Sequence, residues 1–273
     1  MTDTHELAGR SAVVTGASSG IGRAIAERLG ACGAYVVLCG RTDDAMAESI
    51  RKIEETGGSA TSVVGDLRDP AVVTSLVDAA VSKVGHLDIF VNNAGVMFTT
   101  PIIDADVEQW RLMLDTNVLA LLVGCQAAIR SMRSTGTPGR IVNISSIAAQ
   151  ERGSGVYGAT KHAVNVISSS LRLELIDDPI QIVTVMPGVI ATNIARTFDP
   201  AVLEGMVALT GLDVEIRPGE RVPDELLEQA QIALADFIAR PEDVAEAVRF
   251  AVTRPAGVHI AEIVVRPNKD LEF

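Results

Sequence analysis

Cysteine and histidine are scarce in this chain of 273 residues, which contains three of the first and four of the second. The four histidines are scattered along the sequence, so we predict no metal site. The cysteines, Cys32, Cys39 and Cys125, are odd in number and lack the spacing of a disulfide framework. They indicate small apolar packing residues in a reducing compartment.

Positive charge is also in short supply. The chain has 23 Lys and Arg against 35 Asp and Glu, a formal net charge of −12, and such a balance repels the phosphate backbone of nucleic acids. Residues 1–10 are polar, unlike a signal peptide, and no uninterrupted apolar run reaches the roughly 18 residues that span a bilayer. We therefore expect a cytoplasmic protein with a small-molecule substrate, and neither nucleic acid nor membrane as partner.

Linkers, low-complexity runs and internal repeats are missing as well, which predicts a single domain over residues 1–273. Short Val- and Ile-rich runs alternate with longer amphipathic ones. This alternation predicts an α/β fold, a Rossmann-type doubly wound parallel sheet with helices on both faces and strands covered on both sides. The seven predicted strands are residues 11–15, 35–39, 60–64, 87–91, 140–144, 180–185 and 262–265.

One segment interrupts the alternation. Residues 190–240 are irregular and only partly helical in pattern, with the apolar run Met206–Leu209 followed by charged residues. An insertion of this length in a single domain is usually a lid or a binding loop, and a surface excursion is the alternative. We interpret it as a flap over the substrate.

A glycine-rich turn follows the first predicted strand and opens the first helix. Gly16 permits a tight turn, Gly20 allows a pyrophosphate to approach backbone N–H groups, and Gly22 allows close packing of helix on sheet. In this strand–turn–helix context the pattern predicts a dinucleotide site. The residues of the turn predicted to bind the cofactor are Gly16, Ser18, Ser19, Gly20, Ile21 and Gly22.

Further motifs occur in a fixed order along the chain. Asn92-Asn93-Ala94-Gly95 follows the fourth strand, Asn117 lies in the next helix, the Tyr157–Lys161 motif opens a later helix, and Pro187-Gly188 follows the sixth strand. Together with the glycine turn they resemble the short-chain dehydrogenase/reductase family over nearly the whole chain. The resemblance implies a nicotinamide-dependent oxidoreductase, commonly a dimer or tetramer of identical subunits.

The end of the second strand distinguishes NADP(H) from NAD(H). A carboxylate there would accept hydrogen bonds from the ribose 2′-hydroxyl, but this chain has Gly40-Arg41. Glycine leaves room for a 2′-phosphate, Arg41 can pair with it, and Thr42 or the serines of the turn can add hydroxyls. Ser19 stands where many NADP-dependent relatives carry a basic residue. We predict NADP(H), with NAD(H) as the alternative.

The resemblance also implies other cofactor contacts. Asp66 and the N–H of Leu67 would hold the adenine, and the alternative for Asp66 is an N-cap of the next helix. The group Asn93, Ala94 and Gly95 would line the adenine-ribose side. The nicotinamide would meet Pro187, Gly188 and Ile190.

Tyr157 and Lys161 are the candidate proton-transfer pair. They are four residues apart and share one face of a helix. Lowering a tyrosine pKa from about 10 to about 7 requires roughly 4 kcal/mol of phenolate stabilisation. We expect the lysine ammonium and the oxidised nicotinamide to supply it. By resemblance, Lys161 also holds the nicotinamide ribose.

A serine must hydrogen-bond the substrate oxygen, and two candidates end the fifth strand. Ser146 precedes an apolar residue, as the family's catalytic serine usually does, but its separation from Tyr157 is shorter than is customary. Ser145 restores part of that distance. We favour Ser146 because strand register should outrank a shortened loop.

Asn117 precedes the apolar run 118–123, where an unpaired amide would be costly. In the family, the matching asparagine bends its helix and helps to hold a water linked to the lysine. A purely structural asparagine, satisfied by neighbouring backbone, is the alternative.

The substrate pocket is predicted to be apolar, which favours a moderately hydrophobic ketone or secondary alcohol. The residues expected to shape it are Val96, Met97, Ile147, Ala148, Val156 and Val189, together with the long segment after Ile190. Because fold alone does not fix the reaction, an isomerase or epimerase on the same scaffold and a non-catalytic NADP(H)-sensing regulator remain alternatives.

Overall fold

One sheet of seven parallel strands organises this chain, whose computed structural model describes residues 5–192, 207–208 and 222–269. The strands are β1 (Ser11–Thr15), β2 (Tyr35–Gly40), β3 (Ser59–Val64), β4 (Ile89–Asn92), β5 (Arg140–Ile144), β6 (Gln181–Pro187) and β7 (Glu262–Val265). Their spatial order is β3-β2-β1-β4-β5-β6-β7. The chain thus builds outward from β1 to β3, returns to place β4 beside β1, and continues in the other direction.

Helices cover both faces of this sheet. In the described residues they are α1 (Gly20–Ala31), α2 (Asp43–Glu55), α3 (Pro70–Val84), α4 (Val107–Leu114), α5 (Ala120–Thr135), α6 (Gly155–Glu174), α7 (Asp224–Ala233) and α8 (Pro241–Val252). The first, second and eighth pack on one face, and the third, fifth and sixth on the other. The predicted Rossmann-type α/β fold is confirmed.

The sheet separates two apolar cores. Ile25 and Leu29 of α1 pack with Val248 of α8 and with the side chains that β1 and β2 point to the same face. On the opposite face Phe90 of β4 packs with Leu121 and the rest of α5. Successive side chains of a strand point to opposite faces of the sheet, so each strand contributes to both cores. The apolar side chains of each helix form one stripe, so each helix contributes to one core.

The edge strands depart from the sequence expectation. Central strands such as β1 and β5 are buried throughout, as Val- and Ile-rich runs predict. In β3 and β7, however, part of each strand is exposed, and Val64 at the end of β3 is 52% exposed. The expectation that the strands are covered on both sides is therefore wrong for these two, because each lies at an edge of the sheet.

A single helical stretch, Val107–Thr135, contains α4, a five-residue π-helical turn (Asp115–Leu119) and α5. Its most apolar window has a mean hydropathy of 1.7, so by length and composition it meets the test for a membrane span, although no uninterrupted apolar run had indicated one. Its α5 half packs on α3 through Leu121, Cys125 and Ala128. It is a core helix of the α/β fold.

The three cysteines are free and buried, as predicted. Burial raises the pKa of Cys39 and of Cys125 to about 12, so these thiols remain protonated at neutral pH. Among the described residues no group of acidic residues, histidines and cysteines is arranged to hold a metal ion.

The carboxyl ends of β1 and β4 lie side by side where the winding of the sheet reverses. In open α/β sheets ligands bind at this point. The glycine-rich turn follows β1, and the Asn92–Gly95 motif begins at the end of β4. The predicted flap is described only in part: α7 lies near its end, whereas Met206 and the charged residues from 213 to 221 fall outside the described residues.

Candidate active site

The glycine-rich turn is built around close backbone contacts. Gly20 has φ +55°, a left-handed conformation that side chains disfavour. A Cβ atom on Gly22 would stand 2.3 Å from the carbonyl oxygen of Gly16 and 2.4 Å from Nδ2 of Asn93. The first turn of α1 therefore lies directly against the β1 end, with its N–H groups facing the edge of the sheet where an anion is favoured.

Asn93 locks this turn to β4. Its Nδ2 donates to the carbonyl oxygens of Thr15 (2.9 Å) and Gly16 (3.3 Å), and its backbone N–H donates to Oγ1 of Thr15 (2.9 Å). The N–H of Ala94 donates to the same hydroxyl at 3.1 Å. The predicted residues Asn93 and Ala94 thus lie beside the turn, with the Asn93 amide committed to holding its shape.

The end of β2 is closely packed, and the open space expected beside Gly40 is absent on the side where a Cβ would project. A Cβ on Gly40 would lie 3.1 Å from Cβ of Ser18 and 3.0 Å from Sδ of Met46, so the turn and α2 close around this glycine. Arg41 and Thr42 follow it and are exposed. An exposed cation and a hydroxyl-bearing residue at this strand end fit the adenosine end of a dinucleotide.

Asp66 lies near that end and is held by Arg68. The Arg68 Nε donates to both carboxylate oxygens at 3.0 Å, and its backbone N–H donates to Oδ1. These hydrogen bonds, with a smaller contribution from Arg41, lower the pKa of Asp66 to about 2. The alternative that Asp66 caps the next helix is wrong, because Asp69 is the N-cap of α3 and accepts from the N–H of Ala71 (2.9 Å).

Tyr157 and Ser146 lie together in the wall of a large cavity. Burial raises the pKa of the Tyr157 phenol to about 12, and a hydrogen bond with Ser146 acts in the opposite direction. The expected lowering of this pKa toward 7 is therefore absent in the protein alone, since the loss of hydration outweighs the hydrogen bond.

Lys161 lies one helical turn beyond Tyr157 and is buried. Its Nζ is 5.8 Å from the centre of the Tyr157 ring and donates to the carbonyl oxygen of Ile144 at 2.9 Å. Burial lowers the pKa of Lys161 to about 8. The ammonium thus has one backbone partner at the end of β5, and it retains further N–H donors for a ligand.

The two candidate serines face different surroundings. Ser146 lines the cavity, and its Oγ lies 3.5 Å from the carbonyl oxygen of Pro187 and accepts from the N–H of Ala148 at 3.2 Å. Ser145 is buried, and its Oγ donates to the backbone carbonyl of Lys161 at 3.1 Å. Ser146 is thus brought together with Tyr157, whereas Ser145 is turned toward α6.

Asn117 lies in the π-helical turn, and its side chain is fully engaged. Its Nδ2 donates to the carbonyl oxygen of Val96 (2.9 Å) and to Oγ1 of Thr160 (3.0 Å), and its Oδ1 accepts from the N–H of Val96. A Cβ on Gly95 would lie 3.3 Å from Asn117 Oδ1 and 3.6 Å from Lys161 Nζ. The amide is satisfied as in the structural alternative, while the glycine leaves space near the lysine.

The cavity beside Ser146 and Tyr157 has a volume of about 1240 Å³. Of the residues expected to shape the pocket, Met97, Ile147, Ala148 and Val189 line it, whereas Val96 and Val156 are not part of its described lining. Ile103 is 91% exposed at its mouth. The predicted flap segment 190–240 contributes Leu227, Ala230 and Ile238 to the lining, whereas sequence analysis missed Phe98, Pro101 and Ile102.

The segment after β6 lies between the cavity and the glycine-rich turn. Pro187 ends the strand, Gly188 lines the cavity, and Ile190 forms a bridge with Ala239. Thr192, which sequence analysis missed, is 7% exposed and lies 3.1 Å from the position of a Cβ on Gly20. The sequence feature that could have identified Thr192 as a site residue is a hydroxyl-bearing side chain two positions after Ile190, next to the apolar residues 189–191.

Comparison with known proteins agrees with this arrangement. Residues 10–202 match the family described as short chain dehydrogenase. The chain is 34% identical over 264 residues to an uncharacterised oxidoreductase of Staphylococcus haemolyticus, covering 96% of this chain and 99% of that protein.

Solved structures show the same fold. A metagenomic short-chain oxidoreductase in complex with NADP aligns with a TM-score of 0.73 and 28% identity, over 96% of this chain and 99% of that one. A dehydrogenase/reductase of Sinorhizobium meliloti aligns with a TM-score of 0.75 and 26% identity, over 97% and 96% of the two chains.

A Rossmann-type sheet with a glycine-rich turn and a Tyr–Lys pair at its carboxyl edge defines a nicotinamide-dependent oxidoreductase. The matched residues make the assignment more specific. The chain belongs to the short-chain dehydrogenase/reductase family, whose members use a nicotinamide cofactor on small-molecule substrates and commonly form oligomers.

Proposed function

We propose that this chain is an NADP(H)-dependent oxidoreductase that interconverts a ketone and a secondary alcohol on a moderately hydrophobic small molecule. A single catalytic domain over residues 1–273 performs the reaction. The observation that carries the proposal is the placement of Ser146 and Tyr157 side by side in the cavity, with Lys161 one turn beyond.

Each residue of the site has a chemical task. The nicotinamide cofactor, held at the glycine-rich turn and by Lys161, would supply or take up the hydride. In carbonyl reduction Tyr157 gives its phenolic proton to the substrate oxygen, and Ser146 donates a hydrogen bond to the same oxygen as negative charge develops. The Lys161 ammonium stabilises the phenolate that remains and holds the ribose hydroxyls. Asn117 fixes the backbone of Val96 and, through Thr160, the helix that carries the pair.

The test is turnover by the purified full chain. We expect NADPH absorbance to fall when ketones of moderate hydrophobicity are added, and to rise when NADP and the matching alcohols are supplied. Tight NADPH binding without a change in absorbance across a broad ketone and alcohol panel would instead support a sensor. Isomerised or epimerised product without net cofactor consumption would support the other alternative.

The cofactor preference rests on the end of β2. Substituting Arg41→Ala removes an exposed guanidinium next to Gly40 at the end of β2. Because a hydrogen bond to a charged group contributes about 1.5–3 kcal/mol, the KM for NADPH should rise about tenfold or more. The KM for NADH should change little, since NADH has no 2′-phosphate.

Arg51→Ala is the matched control for that substitution, because Arg51 is an exposed arginine of the adjacent helix that pairs with Glu55. It should leave both KM values unchanged. Equal increases for NADPH and NADH in the Arg41 variant would contradict the NADP assignment.

The buried lysine predicts a pH dependence. Because the pKa of Lys161 is lowered to about 8, its ammonium is present below that pH and is lost as the pH rises through it. The phenol, with its pKa raised to about 12, stays protonated over the same range. We therefore expect kcat/KM for ketone reduction to fall above about pH 8.

The Lys161→Arg variant provides the control, because its guanidinium stays charged at every pH of the assay. Its rate should be lower but should lack the decline near the lysine pKa. A wild-type profile that is flat from about pH 6 to about pH 10 would contradict this role of the lysine.

The cavity supports a substrate larger than a simple alcohol. Its volume is about 1240 Å³, which includes the part at Gly188 and Ile190 that the nicotinamide would meet, and its wall is mainly apolar. A multi-ring or long-chain ketone would bury more of that wall than a small polar one. Turnover restricted to small hydroxy acids would argue against this substrate class.

We also propose that the chain assembles as a homo-oligomer. The helices on one side of the sheet expose apolar side chains at Leu119, Leu122 and Leu173, with exposures of 52%, 41% and 75%. Leu119 and Leu122 are three residues apart on one helical stretch, and neighbouring exposed leucines of this kind are typical of surfaces that a second copy covers. A mass in solution equal to that of one chain would contradict this proposal.

A further inference from the structure

The glycine-rich turn carries no cation of its own, although a 2′-phosphate would lie against it. Between Gly16 and Gly22 the side chains are those of Ala17, Ser18, Ser19 and Ile21. Arg41 is exposed and follows the last residue of β2. The part of the turn that contains Ser18 lies against that last residue, Gly40.

Arg23, in the first turn of α1, reaches back to that part. Its Nη2 donates to the carbonyl oxygen of Ser18 at 2.9 Å, although the two residues belong to the helix and the turn before it. Its side chain is only 13% exposed, and its Nε is buried without a hydrogen-bond partner among the described residues. Because so little of the Arg23 side chain is exposed to solvent, the residues around it fix the position of its guanidinium.

Ser18 in turn touches the end of β2. Its Cβ would be 3.1 Å from a Cβ at Gly40, and the N–H of its neighbour Ala17 donates to the carbonyl oxygen of Cys39 at 2.8 Å. A continuous set of contacts therefore runs from the Arg23 guanidinium through Ser18 to Gly40, the residue before Arg41. The pyrophosphate end of the turn, at Gly20 and Gly22, lies outside this set.

Two carboxylates interact with the charge of Arg23. One is that of Glu48 in α2, whose Oε2 lies 3.7 Å from Nη2 and whose side chain is 44% exposed, and the other is that of Glu27. Both carboxylates also pair with Lys52, and of these four charged groups Arg23 is the one that hydrogen-bonds the turn, so the charge in contact with the turn is positive and its potential acts there. That potential favours a ligand group bearing two negative charges more than an uncharged hydroxyl.

We propose that Arg23 is a positioning residue for the 2′-phosphate of NADP(H): it fixes Ser18 against Gly40 and supplies the cation that the turn lacks. The proposal rests on the NADP(H) preference argued above. Because the contact between Arg23 and the turn is at Ser18, its loss should weaken the binding of NADPH. The affinity for NADH, which depends on the pyrophosphate contacts, should stay unchanged.

The experiment measures binding of NADPH and NADH to the full chain by titration calorimetry, without substrate. Arg23→Met keeps most of the apolar stem and removes the guanidinium; we expect the Kd for NADPH to rise about tenfold, while that for NADH changes less than about twofold. Arg28→Met, which removes an arginine of the same helix paired with Glu246, is the control and should alter neither.

A second variant tests the charge without touching the arginine. Glu48→Gln removes a carboxylate that opposes the charge of Arg23. It should lower the Kd for NADPH by roughly two- to threefold, with no matching decrease in the Kd for NADH. Thermal melts identify any variant that fails to fold, and Glu48→Gln, as an exposed helix substitution, keeps the test decisive in that case.

The outcomes distinguish a failure of the proposed role of Arg23 from a failure of the NADP(H) assignment. Equal weakening of NADPH and NADH by Arg23→Met, or no effect of either variant on NADPH, would overturn the role of Arg23 even if Arg41→Ala abolishes the NADPH preference. A wild-type chain that binds NADH as tightly as NADPH would overturn the cofactor assignment itself. Because binding is measured directly, failure to find a substrate affects neither conclusion.

Discussion

Replacing Tyr157 with phenylalanine should lower kcat for ketone reduction by about 10²- to 10⁴-fold, the range that general acid catalysis supplies. The variant keeps the ring and loses only the hydroxyl, which lies beside Ser146 in the cavity wall. No other phenol can take its place, because the chain's second tyrosine is Tyr35, at the beginning of β2 and thus at the opposite edge of the sheet.

Steady-state kinetics with NADPH held in excess measure this effect, and calorimetric titration should give a Kd for NADPH within about threefold of wild type. Tyr35→Phe is the matched control: it makes the same chemical change far from the site and should keep full turnover. If Tyr157→Phe retained wild-type kcat, the phenol would not be the proton donor, and the proposed oxidoreductase chemistry would fail with it.

The pKa values of this pair explain why the two reaction directions make different demands. In the protein alone the phenol pKa is raised to about 12, so the acid required for carbonyl reduction is already protonated at neutral pH. Alcohol oxidation requires the phenolate, and lowering the pKa from about 12 to about 7 takes roughly 7 kcal/mol of electrostatic stabilisation. Positive charge from Lys161 and from an oxidised nicotinamide would have to supply most of it.

Sequence patterns predicted the fold well, because alternation and burial obey simple rules. The seven strands lie within a few residues of the predicted ranges, since β-branched runs bounded by turn residues leave little freedom in their ends. Exposure at β3 was missed because position at the edge of a sheet depends on strand order. The π-helical turn around Asn117 was missed because it depends on the packing of that amide against Val96.

Sequence motifs predict the positions of those site residues whose type and spacing they specify. They predict less well the side-chain orientations that depend on three-dimensional packing. Gly22 and Lys161 lie where their spacing indicated. The orientation of Asp66 toward Arg68 and the buried position of Thr192 depend on side-chain contacts that spacing does not encode. The direction of the Tyr157 pKa shift was also not predictable, because burial had to be weighed against charge.

The two serines at the end of β5 give the sharpest remaining test of this site. Removing one hydrogen-bond donor from a developing oxyanion typically lowers kcat by about 10²- to 10³-fold. Ser146→Ala should show a loss of this size, because the Ser146 hydroxyl lines the cavity beside Tyr157. It should also cost a little stability, since the same oxygen caps the short helical turn at Ala148.

Ser145→Ala is the matched control, with the same chemical change one residue earlier. The Ser145 hydroxyl is buried and donates to the backbone carbonyl of Lys161, so its loss should lower the free energy of unfolding by about 1 kcal/mol. Its kcat should remain within about threefold of wild type, because no contact places that hydroxyl in the cavity. Full kcat in Ser146→Ala together with an inactive, folded Ser145→Ala would exchange the two roles, and it would mean that the shortened loop before Tyr157 shifts the register of the site by one residue.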